Sequence, residues 1–189
     1  MLGVPCSRTE ILVSKPPSNP GQLISFLTEP ELAALLDAPD RDTWTGRRDH
    51  ALILLAAQTG LRVSELIGLT RADLHLGHGA HVNCVGKGRK QRITPLTQST
   101  VTIMRDWLRE REGQPSDPLF PTRTGTALSR DAIEHRLAKH VATATQQCPQ
   151  LQTKQITAHV LRHYVDGWVM WPAAVFPLLR LAPGSVPAT

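Results

Sequence analysis

Residues 51–66 read ALILLAAQTGLRVSEL, and the middle of the chain is organised around this stretch. Its first part is apolar over most of a helical circumference, which predicts a buried central helix running from Arg48 to Gln58. Gly60 is the natural residue to end that helix. Arg62 follows, with Glu65 three residues further on, so that the carboxylate could hold the planar guanidinium ready for two oxygens of a phosphate. On this segment alone, a plain surface Arg–Glu pair is the simpler interpretation.

Outside this stretch, helix-capping residues and changes in hydrophobic period predict the other elements. In chain order they are a helix from Thr28 to Pro39, a short helix from Ser64 to Ile67, strands at His81–Val85 and Arg92–Thr94, and helices starting at Thr97, Ser129 and Thr157. The two strands form a hairpin across residues 86–90. The predicted fold class is therefore α+β, mainly α, with a small antiparallel β-sheet.

The hairpin turn is rich in cations. Lys87 lies between two glycines, and Arg89, Lys90 and Arg92 follow it. Glycines allow close approach of another chain, and four neighbouring cations would attract a polyanion. The turn does not match a phosphate-binding P-loop, which needs Ser or Thr directly after its lysine. A solvated basic turn is the alternative interpretation.

A second polar group lies near residue 160. His159 and Arg162 are three residues apart and would lie on one helix face, with His163 beside them. An acid or base that titrates near neutral pH, next to a permanent cation, suits phosphoryl transfer. An ordinary amphipathic helix would also explain the pattern.

Composition excludes several classes of protein. The 189 residues carry a net charge of +5, which permits a nucleic-acid partner without establishing one. The three cysteines are isolated, so they indicate no disulfide framework or zinc ribbon. The histidines at 75, 78 and 81 do not predict a metal site, because His81 and Cys84 would face opposite sides of a strand. The sequence shows no signal peptide and no apolar run long enough to span a bilayer, so we expect a cytoplasmic protein without a membrane partner.

Taken together, the motifs resemble those of one family. The chain contains, in this order, an arginine within TGLRVSEL, a lysine in a glycine-flanked β-turn and a late HVLR motif. This order resembles that in the catalytic domain of tyrosine recombinases, the phage integrase family. The resemblance covers residues 25–163. It implies an integrase-like, mainly α catalytic domain that acts on DNA, in site-specific recombination and integration, and it implies neither a metal nor another cofactor.

The resemblance also implies roles for individual residues. Arg62 and Arg162 would bind the non-bridging oxygens of the scissile phosphate. Lys87 would protonate the leaving 5′ oxygen, and His159 would be its acid/base partner. The supporting or DNA-binding residues would be Glu65, Arg89, Lys90, Arg92 and His163.

The two ends of the chain depart from the family pattern. Residues 1–24 are predicted to be a linker-like leader, and residues 164–189 a hydrophobic, Pro-rich tail unrelated to the family. That tail holds Tyr164, the only tyrosine of the chain, two residues after Arg162 rather than at the position of the family's nucleophile. We therefore expect a C-terminally incomplete catalytic domain that lacks its last helices and its nucleophilic tyrosine. Without those helices, part of the central helix is expected to be exposed.

Two functional hypotheses follow. The first is a truncated recombinase catalytic domain that cannot cleave DNA by itself. The alternative is a non-catalytic DNA-binding or interaction remnant that competes with intact recombinases or complements them. Both imply double-stranded DNA as a partner, together with a homo-oligomer or an intact recombinase bound to the same DNA.

Overall fold

The computed structural model describes residues 27–86 and 91–162 of the chain. Its α-helices are α1 (Glu29–Asp37), α2 (Trp44–Thr59), α3 (Val63–Gly68), α4 (Gln98–Arg111) and α5 (Arg130–Ala144). Its strands are β1 (Leu74–His75), β2 (His81–Val85) and β3 (Gln91–Pro95). Short 3₁₀ turns lie at Arg71–Asp73 and Pro149–Thr153, and residues 158–162 are helical. The predicted leader and tail, and the predicted site residues Lys87, Arg89, Lys90 and His163, lie outside the described residues.

The starts of the helices follow the capping residues. The Glu31 side chain accepts a hydrogen bond from the Thr28 N–H at 2.7 Å, which anchors the first turn of α1. Thr43 begins α2 by accepting from the Gly46 N–H at 3.1 Å. The predicted start of this helix at Arg48 was therefore wrong by four residues, because the Thr43 cap begins the helix one turn before its buried part. At its other end, Gly60 has a φ of 60°, a left-handed conformation that glycine adopts without strain.

The long central helix α2 lies inside the domain. Residues 48–57 of α2 are all buried, and Leu55 is fully inaccessible to solvent. The expectation that part of this helix is exposed was therefore wrong. Apolar side chains from α1, α4 and α5 belong to the same core, among them Leu35, Met104 and Leu137. The central helix is thus covered on several sides and fixes the position of the segment that follows it.

The sheet is antiparallel with the strand order β1-β2-β3. β2 has the predicted bounds, and β3 is one residue longer at each end than predicted. The short strand β1, which was not predicted from the sequence, pairs Leu74 with Val82 of β2. Along β2, Val82 and Cys84 are buried while the alternate residues are more exposed. One face of the sheet therefore packs against the core and the other faces outward.

The remaining helices confirm the predicted starts. The side chain of Thr97 accepts from the Thr100 N–H, and that of Ser129 accepts from the Ala132 N–H. Residues 158–162 are helical, as the start at Thr157 predicts. The α+β, mainly α fold class with a small antiparallel sheet is thus confirmed. Within residues 27–86 and 91–162, no helix is long and apolar enough to cross a membrane.

Candidate functional site

Arg62 and Glu65 are joined in the way that their spacing predicts. The turn at Gly60 ends α2, and Arg62 stands immediately before the first residue of α3. The Arg62 N–H donates to Glu65 Oε2 at 2.8 Å, and its guanidinium Nη1 donates to Oε1 at 3.0 Å. The Glu65 side chain is 6% exposed, whereas that of Arg62 is 55% exposed. A buried carboxylate therefore holds a guanidinium whose other donors reach the surface.

The charge of Glu65 is maintained by its neighbours. Burial acts to raise the pKa of Glu65, but the N–H and guanidinium of Arg62 and the charge of Arg92 together lower it below its ordinary value. Glu65 is therefore ionised at neutral pH. As a carboxylate it can act only as a hydrogen-bond acceptor, which suits the orientation of arginine side chains.

Arg92 lies near the same carboxylate. Its Nη2 is 3.8 Å from Glu65 Oε2, and its side chain is 43% exposed. Arg92 is opposite Cys84 in the ladder between β2 and β3, so its side chain emerges on the face of the sheet that packs against the core. The structure thus brings Arg62, Glu65 and Arg92 together from α3 and β3.

The second predicted motif lies on the helix of residues 158–162. His159 is exposed and Arg162 is half-buried. Within the described part of the chain, no group accepts a hydrogen bond from the buried Nη1 of Arg162. Leu161, next to Arg162, lines a small, mainly apolar pocket that is also lined by Leu66 of α3. The helices that carry or follow the two predicted arginine motifs therefore meet around one small pocket.

A buried polar cluster, three of whose residues line this pocket, was not predicted from the sequence. The fully buried Arg48 donates to Asp49 Oδ1 through Nη2 at 2.7 Å and to the Pro121 carbonyl through Nη1 at 2.8 Å. Asp49 Oδ2 accepts from His140 Nε2 at 2.9 Å and from Arg136 Nη1 at 3.3 Å. An adjacent Arg-Asp pair at the start of a helix that was predicted to be buried was the available signal, since buried charges need partners. The cluster joins α2 to α5.

Two of the three regularly spaced histidines, His75 and His81, are in contact. The rings of His75 and His81 stack with centroids 4.6 Å apart, and Asn83 Nδ2 is 2.9 Å from His75 Nε2. Cys84 is buried on the opposite face of the strand from His81, as predicted. In the ranges that the structure describes, no three histidine, cysteine or acidic side chains are grouped as metal ligands would be.

The helical domain and its three-stranded sheet have the fold of the catalytic domain of tyrosine recombinases. The chain belongs to the phage integrase family, whose family model matches residues 25–169. Among known proteins, the y4rC protein of Sinorhizobium fredii is 50% identical over 141 residues, which are 75% of this chain and 42% of that protein. Tyrosine recombinase XerD of Pseudomonas aeruginosa is 36% identical over 148 residues, covering 74% of this chain and 49% of XerD. The chain thus spans about half of the length of these relatives, or less.

Solved structures agree with this assignment. XerA recombinase superposes with a TM-score of 0.67 at 28% identity, covering 82% of this chain and 52% of XerA. XerH, in a post-cleavage complex with its palindromic difH substrate, gives a TM-score of 0.61 at 27% identity over 76% of this chain and 41% of XerH. The predicted family and fold are therefore confirmed.

Proposed function

We propose that this chain binds double-stranded DNA and contributes the phosphate-binding part of a site-specific tyrosine recombinase. The observation that carries the proposal is the exposed guanidinium of Arg62 held by the buried carboxylate of Glu65. Arg162, with a donor that no described residue satisfies, would bind the second non-bridging oxygen. The proposed substrate is double-stranded DNA, and the proposed location of the reaction is the cytoplasm.

The physical chemistry of the reaction explains this choice of residues. Attack on a phosphodiester concentrates negative charge on the equatorial oxygens of the transition state. Two guanidiniums placed there stabilise that charge, each by about 2–4 kcal/mol, which is what removal of an oxyanion-hole donor costs. Arg62 is already oriented by Glu65, so little conformational entropy is lost when phosphate binds.

Proton transfer would complete the chemistry. In the intact reaction a tyrosine oxygen attacks phosphorus, a 3′-phosphotyrosyl bond forms, and the 5′ oxygen leaves. Lys87 would donate the proton that turns this leaving oxygen into a hydroxyl, and His159 would act as its acid/base partner. Arg89, Lys90 and His163 would contact the DNA backbone beside them.

The position of Tyr164 favours a second candidate function. Tyr164 follows the HVLR motif by two residues and does not occupy the family's nucleophile position. We infer that this 189-residue polypeptide cannot form the covalent intermediate by itself. It would then act as a DNA-binding remnant, either competing with intact recombinases or complementing them in an oligomer on DNA.

DNA binding is tested through the hairpin turn. Reversing the charges of Lys87, Arg89 and Lys90 to glutamate is expected to weaken binding to all DNA sequences by at least tenfold. The slope of log Kd against log salt should fall by about 2–3, because each lost phosphate contact no longer releases a counterion. Fluorescence anisotropy with a short random-sequence duplex, repeated over a salt series, measures both quantities.

The matched control reverses the same number of charges elsewhere. Arg41, Arg109 and Arg130 are exposed, and a triple glutamate variant at these positions has the same net charge as the hairpin variant. If the two variants lose equal affinity, only overall charge matters and the hairpin is not the DNA contact. Binding by the unmodified protein that is insensitive to salt would contradict the proposal as a whole.

Covalent chemistry is tested with a nicked suicide duplex that traps the phosphotyrosyl product. We expect no covalent adduct on this polypeptide, since its tyrosine does not lie at the nucleophile position. The control reaction adds an intact recombinase whose own nucleophilic tyrosine is replaced by phenylalanine. Any covalent adduct in that mixture must then be on this polypeptide. A covalent adduct on the polypeptide alone, abolished by Tyr164→Phe, would show that the inference about Tyr164 is wrong.

A further inference from the structure

The arrangement around Glu65 contains one more cation than the proposed chemistry uses. One carboxylate, nine-tenths buried, is approached by two guanidiniums from different elements, Arg62 before α3 and Arg92 on β3. A single negative charge cannot neutralise both. The group therefore carries a net positive charge beside a buried anchor.

The two arginines are held differently. Arg62 makes a hydrogen bond to Oε1 at 3.0 Å, whereas Arg92 is 3.8 Å from Oε2, beyond hydrogen-bond distance. The Arg62 N–H already donates to that same oxygen at 2.8 Å. Arg92 is thus attracted to Glu65, but its donors are not consumed by it.

The geometry of strand β3 explains why Arg92 lies at the edge of the sheet, near Glu65. Arg92 is opposite Cys84, which is buried on the inner face of the sheet, so an arginine occupies an inward-facing position on β3. A buried guanidinium without a hydrogen-bonded partner would be costly. With 43% of its side chain exposed, Arg92 instead extends along the edge of the sheet toward α3 and solvent.

We propose that Arg62 and Arg92 form a two-guanidinium phosphate-binding pair with Glu65 as a shared anchor, in which Arg92 binds a backbone phosphate of DNA next to the one bound by Arg62. Arg92 is then a DNA ligand rather than a support for Glu65. The planar fork of arginine suits two phosphate oxygens, and a guanidinium that makes no hydrogen bond to Glu65 keeps its donors for them. This inference rests on the proposed function, because it requires that DNA is bound at this face.

The test compares Arg92→Gln with Arg92→Lys in salt-dependent binding of a random-sequence duplex. Arg92→Gln is expected to weaken binding about tenfold at low salt and to reduce the salt slope by about 0.9, the value for one phosphate contact. Arg92→Lys keeps the charge and should keep the slope, although affinity falls because lysine lacks the bidentate fork. Arg109→Gln, at an exposed arginine that pairs with Asp106 on α4, is the matched control and should change affinity less than twofold.

The outcomes separate this inference from the function on which it rests. If the unmodified protein binds DNA but Arg92→Gln lowers only the melting temperature and leaves the salt slope unchanged, Arg92 is a support for Glu65 and the inference is wrong. If Arg92→Gln behaves like Arg109→Gln, it is wrong as well. If the unmodified protein binds no DNA at low salt, the proposed function fails, and the pair fails with it.

Discussion

Replacing Asp49 by alanine is expected to lower the free energy of unfolding by about 3–5 kcal/mol, as removal of one partner from a buried ion pair does. Arg48 has no solvent-accessible surface, and two of its nitrogens contact Asp49 Oδ1, at 2.7 and 3.0 Å. Without the carboxylate, the Pro121 carbonyl is the one hydrogen-bond acceptor that this fully buried guanidinium keeps among the described residues. Urea denaturation followed by circular dichroism measures the loss.

Asp106 provides the control for this variant. It is an aspartate on α4 whose side chain is 64% exposed and which pairs with Arg109 at 3.0 Å. Asp106→Ala should change stability by about 0–1 kcal/mol, because exposed ion pairs contribute little. Similar losses for Asp49→Ala and Asp106→Ala would show that the buried cluster does not hold α2 and α5 together.

The same carboxylate gives the sign of the pH dependence. Burial acts to raise the pKa of Asp49, but hydrogen bonds from His140 and Arg48 and the charge of Arg136 together lower it below its ordinary value of 3.8. A lowered pKa in the folded state contributes stability that is present above pH 4 and is lost as pH falls toward the folded-state pKa. Asp49→Ala should therefore show a shallower loss of stability on acidification than the unmodified protein.

Local signals in the sequence predicted most of the fold. Thr97 and Ser129 each start a helix through a contact three residues away, and Gly60 ends one through its own backbone conformation. Strand β2 also has its predicted bounds, because its five residues alternate between apolar side chains that are buried and side chains that are more exposed. Such features depend on neighbours in the chain, which a sequence displays directly.

Contacts between distant residues were not predictable in the same way. Asp49 contacts His140, which is 91 residues away in the chain. No local sequence pattern predicts which histidine completes a buried cluster. At the candidate site, the Arg62–Glu65 contact spans three residues and was predicted. Arg92 was expected among the supporting or DNA-binding residues, but its approach to Glu65 depends on how β3 packs beside α3.

The buried cluster and the candidate site are connected through one helix. Asp49 lies in the second turn of α2, and the same helix ends at Gly60, two residues before Arg62. Interactions that fix α2 against α5 therefore also fix the starting point of the segment that carries the guanidinium. For this reason, the stability of variants in α2 reports on how firmly the site is positioned, although no residue of α2 is proposed to bind phosphate.

The second large effect is expected for Trp107→Ala, which should lower the free energy of unfolding by about 3–5 kcal/mol. Trp107 is 2% exposed, its indole Nε1 donates to the Leu119 carbonyl at 2.9 Å, and its ring centroid is 5.2 Å from that of Trp44. The alanine variant leaves a cavity between α4 and the start of α2 and an unpaired carbonyl. Trp107→Phe keeps most of the apolar ring and loses the donor, so it should cost about 1–2 kcal/mol. If thermal and urea unfolding show equal losses for the two variants, the hydrogen bond rather than ring packing dominates at this position.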